Sequence, residues 1–161
     1  MPPKLSPPQL RTLTTFFTSN LHKRTLASHA PPTMPHQPPS LSVLSTPLQI
    51  HSLQPPTGFT RDGFCRSYAQ DPGQHTVAAI VTEDFLNFSA ERGNNLRTLG
   101  PEMKEGCRWC LCVARWKEAL DAFRAGKVGR DAVPRVRLEA TDRSVLGEVG
   151  MGDLKEFQAV E

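Results

Sequence analysis

Twelve of the fifteen prolines fall within the first 56 residues of a 161-residue chain, and this density limits what the chain can fold into. Proline lacks an N–H and fixes φ, so neither a helix interior nor a central strand tolerates it. The N-terminal third is therefore a separate regime from the rest. Charge divides at nearly the same place. Residues 1–40 carry Lys4, Arg11, Lys23 and Arg24 with no acid, which leaves 15 of the 19 basic residues and all 16 acidic ones in residues 41–161. The overall +3 thus belongs to the leader, and the remainder stands at 15 − 16 = −1. A domain of that balance has no Lys/Arg stripe to neutralise phosphates, which argues against a nucleic-acid partner. No apolar run approaches the ~20 residues that span a bilayer, which argues against a membrane role.

The first 30 residues are acid-free and rich in Ser and Thr. Leu10, Leu13, Phe16, Phe17 and Leu21 share one helical face, with Arg11 and Lys23 off it. Mitochondrial transit peptides are built in this way, and Arg24-Thr-Leu26 followed by Ala27-Ser28 resembles a matrix-processing site with cleavage after Leu26. A start at Met34 would bypass the leader and leave a cytoplasmic form. Residues 30–39 read as an extended Pro-rich linker. The expected division is a disordered leader and linker over residues 1–40 and a folded domain over residues 41–161. Pro47 restricts residues 41–51 to a short edge segment.

Three strand-then-helix units follow. In the first, Thr76-Val-Ala-Ala-Ile-Val81 is a buried-strand signal, and Thr82 is a good N-cap with Glu83 and Asp84 complementing the positive helix end. Phe85, Leu86, Phe88 and Ala90 supply the apolar face and Gly93 the stop. The second has a strand from Trp109 to Val113 and a helix from about Ala114 through Trp116, Ala119, Leu120 and Phe123 to Gly126. The third has an alternating Val136-Arg-Leu138-Glu-Ala140, a cap at Thr141, and apolar positions through Val149, with a last short helix around Asp153–Phe157. These units predict an α+β (or α/β) fold, one small mixed sheet with helices packed on it. Segments 57–74 and 93–108 remain as long polar loops, the places where function concentrates.

Three of four cysteines and both tryptophans lie between Cys107 and Trp116. With Cys65, the Cys107-x2-Cys110-x-Cys112 spacing could be drawn as a four-thiolate zinc site. A C-x2-C knuckle needs a tight turn, however, and Arg108-Trp109 and Leu111 read as strand. On a strand Cys107 and Cys110 face opposite sides, while Cys110 and Cys112 share one with parallel Cβ vectors, a poor geometry for a bond between them. The favoured reading is reduced thiols acting as small buried hydrophobes, with no metal and no cofactor. Trp109 and Trp116 read as core or core edge. No Gly-rich phosphate loop occurs.

The chain resembles the uncharacterised family known as domain of unknown function 2237, found mainly in bacterial proteins. Thr57-Gly-Phe-Thr-Arg61-Asp62-Gly63-Phe-Cys65, Asp71-Pro-Gly73-Gln-His75-Thr-Val77, Phe88-Ser89-Ala-Glu-Arg92-Gly93-Asn94 and Arg108-Trp109-Cys110-Leu-Cys112 carry the resemblance. Arg115-Trp116 and Leu138-Glu139-Ala140-Thr141 extend it, and it covers about residues 41–158. It implies a small mixed helix-and-sheet fold and no particular reaction. His51, Phe64 and Ala78 stand where the family typically has cysteine, and Cys107 stands where it has an acid. Cys65, Cys110 and Cys112 match.

Two constellations follow from the residues. Cys65, Asp71 and His75 lie within eleven residues and suit a nucleophile, base and orienter if the loop folds them together. Arg61, Asp62, Arg92, Asn94 and Arg108 suit the rim of a pocket for an anionic ligand, since a guanidinium clamps a carboxylate or phosphate in bidentate fashion. The leading expectation is a small-molecule binding domain with a pocket formed by loops 57–75 and 92–108. The alternatives are a thiol-dependent enzyme using Cys65 with His75, and a structural or assembly partner presenting an apolar patch around Trp109 or Trp116.

Overall fold

A computed structural model describes residues 39–160. The expectations for the leader, its cleavage and the start at Met34 lie outside the described residues. Among the described residues, no helix is long and apolar enough to cross a membrane.

The fold is α+β, with a three-stranded sheet and three α-helices. Strand β1 (Val77–Ile80) is central, flanked by β2 (Arg108–Leu111) and β3 (Arg135–Val136). Both pairings are antiparallel, with Ala78 opposite Cys110, Ala79 opposite Trp109, and Ala79 also opposite Val136. Side chains alternate across the sheet. Val77, Ala79, Trp109 and Leu111 join the main core. Ala78 and Cys110 join a small second cluster with Cys65 and Ala140.

Helix α1 (Glu83–Glu91) starts as its sequence dictates, with Thr82 Oγ1 accepting from the Phe85 N–H at 3.2 Å. It ends at Arg92, followed by Gly93 at φ 75°. Helix α2 (Val113–Arg124) buries Trp116, whose indole N–H donates to the Pro134 carbonyl at 2.9 Å. Its ring meets Phe157 edge-on, just beyond α3 (Met151–Glu156). Burying a side chain of this size stabilises by roughly 3 kcal/mol.

The third unit departs from expectation. Only Arg135 and Val136 pair with β1, because the Arg137 N–H donates to Ala78 and the chain then turns into a 3-10 helix, Leu138–Ala140. Leu138 and Ala140 are both buried by that turn, not by a strand's alternation. The cap after it is Asp142, whose carboxylate accepts from the Ser144 N–H at 2.9 Å and opens a second 3-10 turn, Arg143–Gly147. Residues 41–47 form a tight turn tied at Leu41–Pro47, and Ser42 bridges to Asp142.

The expectation of reduced thiols is corrected for two of the four. Cys65 and Cys110 form a disulfide, with Cα atoms 5.2 Å apart. Thr141 brings them together, since it bridges Cys65 and its hydroxyl accepts from the Ala78 N–H, which lays the Cys65 segment over β1 and β2. Cys107 and Cys112 are free thiols.

Candidate functional site

The site is built by one short turn. Asp71, with a fully buried side chain, accepts from the Gly73 N–H on Oδ1 at 3.1 Å and from the His75 N–H on Oδ2 at 2.7 Å. An aspartate bonding the backbone just ahead of it is a turn former. Gln74, at φ 48°, completes the reversal, and its carbonyl accepts the Val113 N–H at 3.1 Å. The turn is thereby pinned to the first residue of α2.

That geometry places His75 between two partners. Its Nδ1 lies 2.9 Å from Asp71 Oδ1, and its Nε2 lies 3.2 Å from Cys112 Sγ. Cys112 is the N-cap residue of α2, at the positive end of the helix. The Cys112 sulfur, opposed by burial and aided by Asp71, pushes the imidazole up to about 9. Both partners therefore favour the protonated form of the ring. Burial alone would raise the Asp71 carboxyl, but the His75 N–H, its ring and the Gly73 N–H outweigh it and hold the group below the usual carboxylate range. A histidine that can hold the proton of a cysteine at a helix N-terminus is the setting in which a cysteine becomes a nucleophile.

Gly73 has no room for a side chain. A Cβ there would lie 2.7 Å from His75 Cε1 and 3.1 Å from Cys112 Sγ. The backbone closes directly over the histidine–thiol pair, and the ring would have to leave its place to admit a methyl group.

His75 and Cys112 open into a cavity of about 420 Å3. Gly58, Phe59 and Arg61 come from one loop, Asn94, Leu96 and Leu99 from another, and Trp109 to Cys112 and Arg115 from β2 and the start of α2. The Arg61 guanidinium stacks on Trp109, 4.7 Å from the ring centroid. Arg61 itself sits at φ 58°, in the turn that Asp62 supports by accepting from the Phe64 N–H at 3.2 Å.

The residues singled out from the sequence therefore separate. His75, Arg61 and Asn94 line one cavity, with Asp71 directly behind His75. Cys65 is sealed at 0% exposure in the disulfide and presents no thiol to His75. Asp62 pairs with Arg66 at 2.9 Å. Arg92 lies elsewhere, stacked on Phe88 and paired with Glu118 at 3.0 Å. Arg108 borders another cavity with Glu102, Lys104 and Cys107. No group of three or more His, Cys, Asp or Glu side chains that could hold a metal ion occurs among the described residues.

Sequence reasoning missed Cys112 and Arg115. A strand drawn to Val113 makes Cys112 a buried strand residue, whereas β2 ends at Leu111 and α2 begins at Val113. The signal was the junction itself, since the residue between a strand and a helix is a cap position.

No curated protein matches the chain. A family model matches residues 41–158, and its description is an uncharacterised protein conserved in bacteria. The match covers nearly all of the described residues, including Asp71, His75 and Cys112, and the chain belongs to that family, domain of unknown function 2237.

Proposed function

We propose that the protein is a thiol-dependent enzyme that transfers or hydrolyses an acyl group of a small molecule, with Cys112 as nucleophile, His75 as acid and base, and Asp71 positioning the ring. One observation carries this reading: Cys112 Sγ lies 3.2 Å from a histidine whose far nitrogen is held by a buried carboxylate, and both open into one cavity. Nucleophile, base and orienter in that order form the arrangement that activates thiols on unrelated folds. The thiol partner of His75 is thus Cys112 in place of Cys65.

In the reaction, the Cys112 thiolate, its proton taken up by His75, attacks the carbonyl carbon and the leaving group departs with that proton, giving a thioester and a neutral imidazole. Water, deprotonated by that imidazole, then attacks the thioester and releases the acid and the thiolate. Positive charge from the α2 N-terminus favours the oxyanion formed in each step. The same cavity also supports non-covalent ligand binding, the leading expectation from the sequence.

Alkylation by iodoacetamide tests the thiol reading. At pH 7 Cys112 should react about tenfold faster in the unaltered protein than in the His75→Ala variant. Cys107 is an internal reference, because burial and then Glu102 push its thiol up. Equal rates at Cys112 with and without His75 would sink the enzyme reading and leave the cavity as a binding site alone. The acid-free leader supports delivery to the mitochondrial matrix. Sequencing the N-terminus of protein isolated from its source tests this, and retention of Met1 would overturn it.

A further inference from the structure

The cavity is one-sided in charge. Its lining contains Arg61, Arg115 and His75 and no carboxylate. Asp71 reaches His75 from behind and is fully buried. Glu118 approaches Arg115 at 2.9 Å, yet the same carboxylate also pairs with Arg92 at 3.0 Å. Two guanidinium groups therefore share one acid, and the trio keeps a net positive charge. The Arg61 guanidinium carbon lies over the Trp109 ring, 4.7 Å from its centroid, a contact that uses none of its N–H donors in an ion pair. No ion pair to Arg61 occurs among the described residues.

The rest of the lining is apolar. Trp109 and Leu111 are buried, while Phe59 and Leu99 are 43% and 49% exposed, large hydrophobic side chains turned to solvent at the cavity. Asn94 adds one amide, part of it committed to the Ser89 hydroxyl at 2.9 Å. Apolar walls with a few convergent polar groups are the common form of a small-molecule site. The volume of about 420 Å3 admits a compact molecule.

We infer that the substrate is a small carboxylate-bearing acyl compound, its carboxylate held by Arg61 and Arg115 and its apolar segment lying on Phe59, Leu96 and Leu99. This rests on the reading of Cys112 as nucleophile and adds the selection of charge. The planar guanidinium fork matches a carboxylate in two parallel hydrogen bonds, so charge and shape are recognised together. An uncharged analogue of the same size would find the apolar wall and lose the clamp.

A pair of alkylating agents differing in one group provides the test. Iodoacetate and iodoacetamide both form an S–C bond to Cys112 and release iodide, but only iodoacetate carries a carboxylate. The quantity read is the ratio of their rates at Cys112 relative to the same ratio for free cysteine, which cancels intrinsic thiol reactivity. The relative ratio should be about tenfold in the unaltered protein, fall towards one in the Arg61→Gln, Arg115→Gln double variant, and shrink as salt is raised. A relative ratio of one in the unaltered protein overturns the inference without recourse to any variant. A high ratio that survives loss of both arginines also overturns it, since His75 alone would then be attracting the anion. A ratio of one with fast iodoacetamide labelling removes charge selection and leaves the nucleophile. Labelling by iodoacetamide that is independent of His75 removes both.

Discussion

Cys110 and Cys112 are two residues apart, and their surroundings share almost nothing. Cys110, 1% exposed, lies in β2 with its N–H held by the Thr57 hydroxyl at 2.7 Å and its sulfur joined to Cys65. Cys112 lies just past the strand, free, at the start of α2, with His75 at its sulfur. The lesson is that a thiol's surroundings are set by the element it caps or fills, and one residue of strand-to-helix junction separates a cross-linked sulfur from a free thiol beside a histidine. His51 and His75, the two histidines among the described residues, repeat the contrast. His51 is buried, its Nε2 donating to the Ala79 carbonyl at 2.9 Å and its Nδ1 without a hydrogen-bond partner. His75 is half-buried and doubly partnered.

Exchanging the chemistry on the reactive side should give the largest effect. Cys112→Ser should abolish both His75-dependent alkylation and any turnover of acyl substrates while leaving the unfolding midpoint nearly unchanged. A variant that still turns over would place the nucleophile elsewhere. On the buried side, removing the cross-link acts on stability. The disulfide closes a separation of 45 residues, for which loop-closure entropy corresponds to about 4 kcal/mol. Denaturant unfolding of the Cys65→Ala, Cys110→Ala double variant should approach that loss, and a change near zero would show that packing alone holds the segment.

Acid should also act on the buried side. Burial, offset in part by the Ala79 hydrogen bond and reinforced by Arg137 and Arg108, lowers His51 to about 4. The unfolded chain takes up this proton near 6.5 and the folded one resists until about 4, so stability is intact above 6.5 and falls as pH drops through that window. The full loss is on the order of 3 kcal/mol, and it should be reduced in His51→Gln when unfolding free energies at neutral and acid pH are compared.

Gly73→Ala should slow Cys112 alkylation about tenfold by displacing the His75 ring, with only a small shift in unfolding midpoint. An unchanged rate would mean that the ring tolerates the methyl group. The smallest effect is alkaline. His75 is raised from 6.5 to about 9, so its pairing with Cys112 and Asp71 stabilises fully below 6.5 and is lost as pH rises through about 9. The stability difference between the unaltered protein and His75→Gln should narrow over that range, and a constant difference would remove the charged pair.

Much of the fold was legible because its determinants are local. The Thr76–Val81 run, the Thr82 cap and the Gly93 stop each act within a few residues, and the structure places β1 and α1 there. The third unit misled because Val136, Leu138 and Ala140 alternate as a strand would, while β1 is only four residues long and offers Arg137 a last carbonyl at Ala78. Asp71 and His75 were visible as neighbours in sequence. Cys112 was not, since its place beside His75 depends on a contact 37 residues away and on a strand end misplaced by two residues. The Cys65–Cys110 bond was hidden for the same reason, being made by Thr141 from the far end of the domain.

Asp71 both closes the backbone turn and orients the imidazole, with two oxygens serving three N–H groups. Turn formation and site assembly are therefore a single event, completed only when Gln74 docks on the first residue of α2. A nascent or partly unfolded chain carries Cys112 without its histidine, and so carries an ordinary thiol. On the proposed reading of Cys112 as nucleophile, its alkylation rate therefore doubles as a readout of whether the domain is folded.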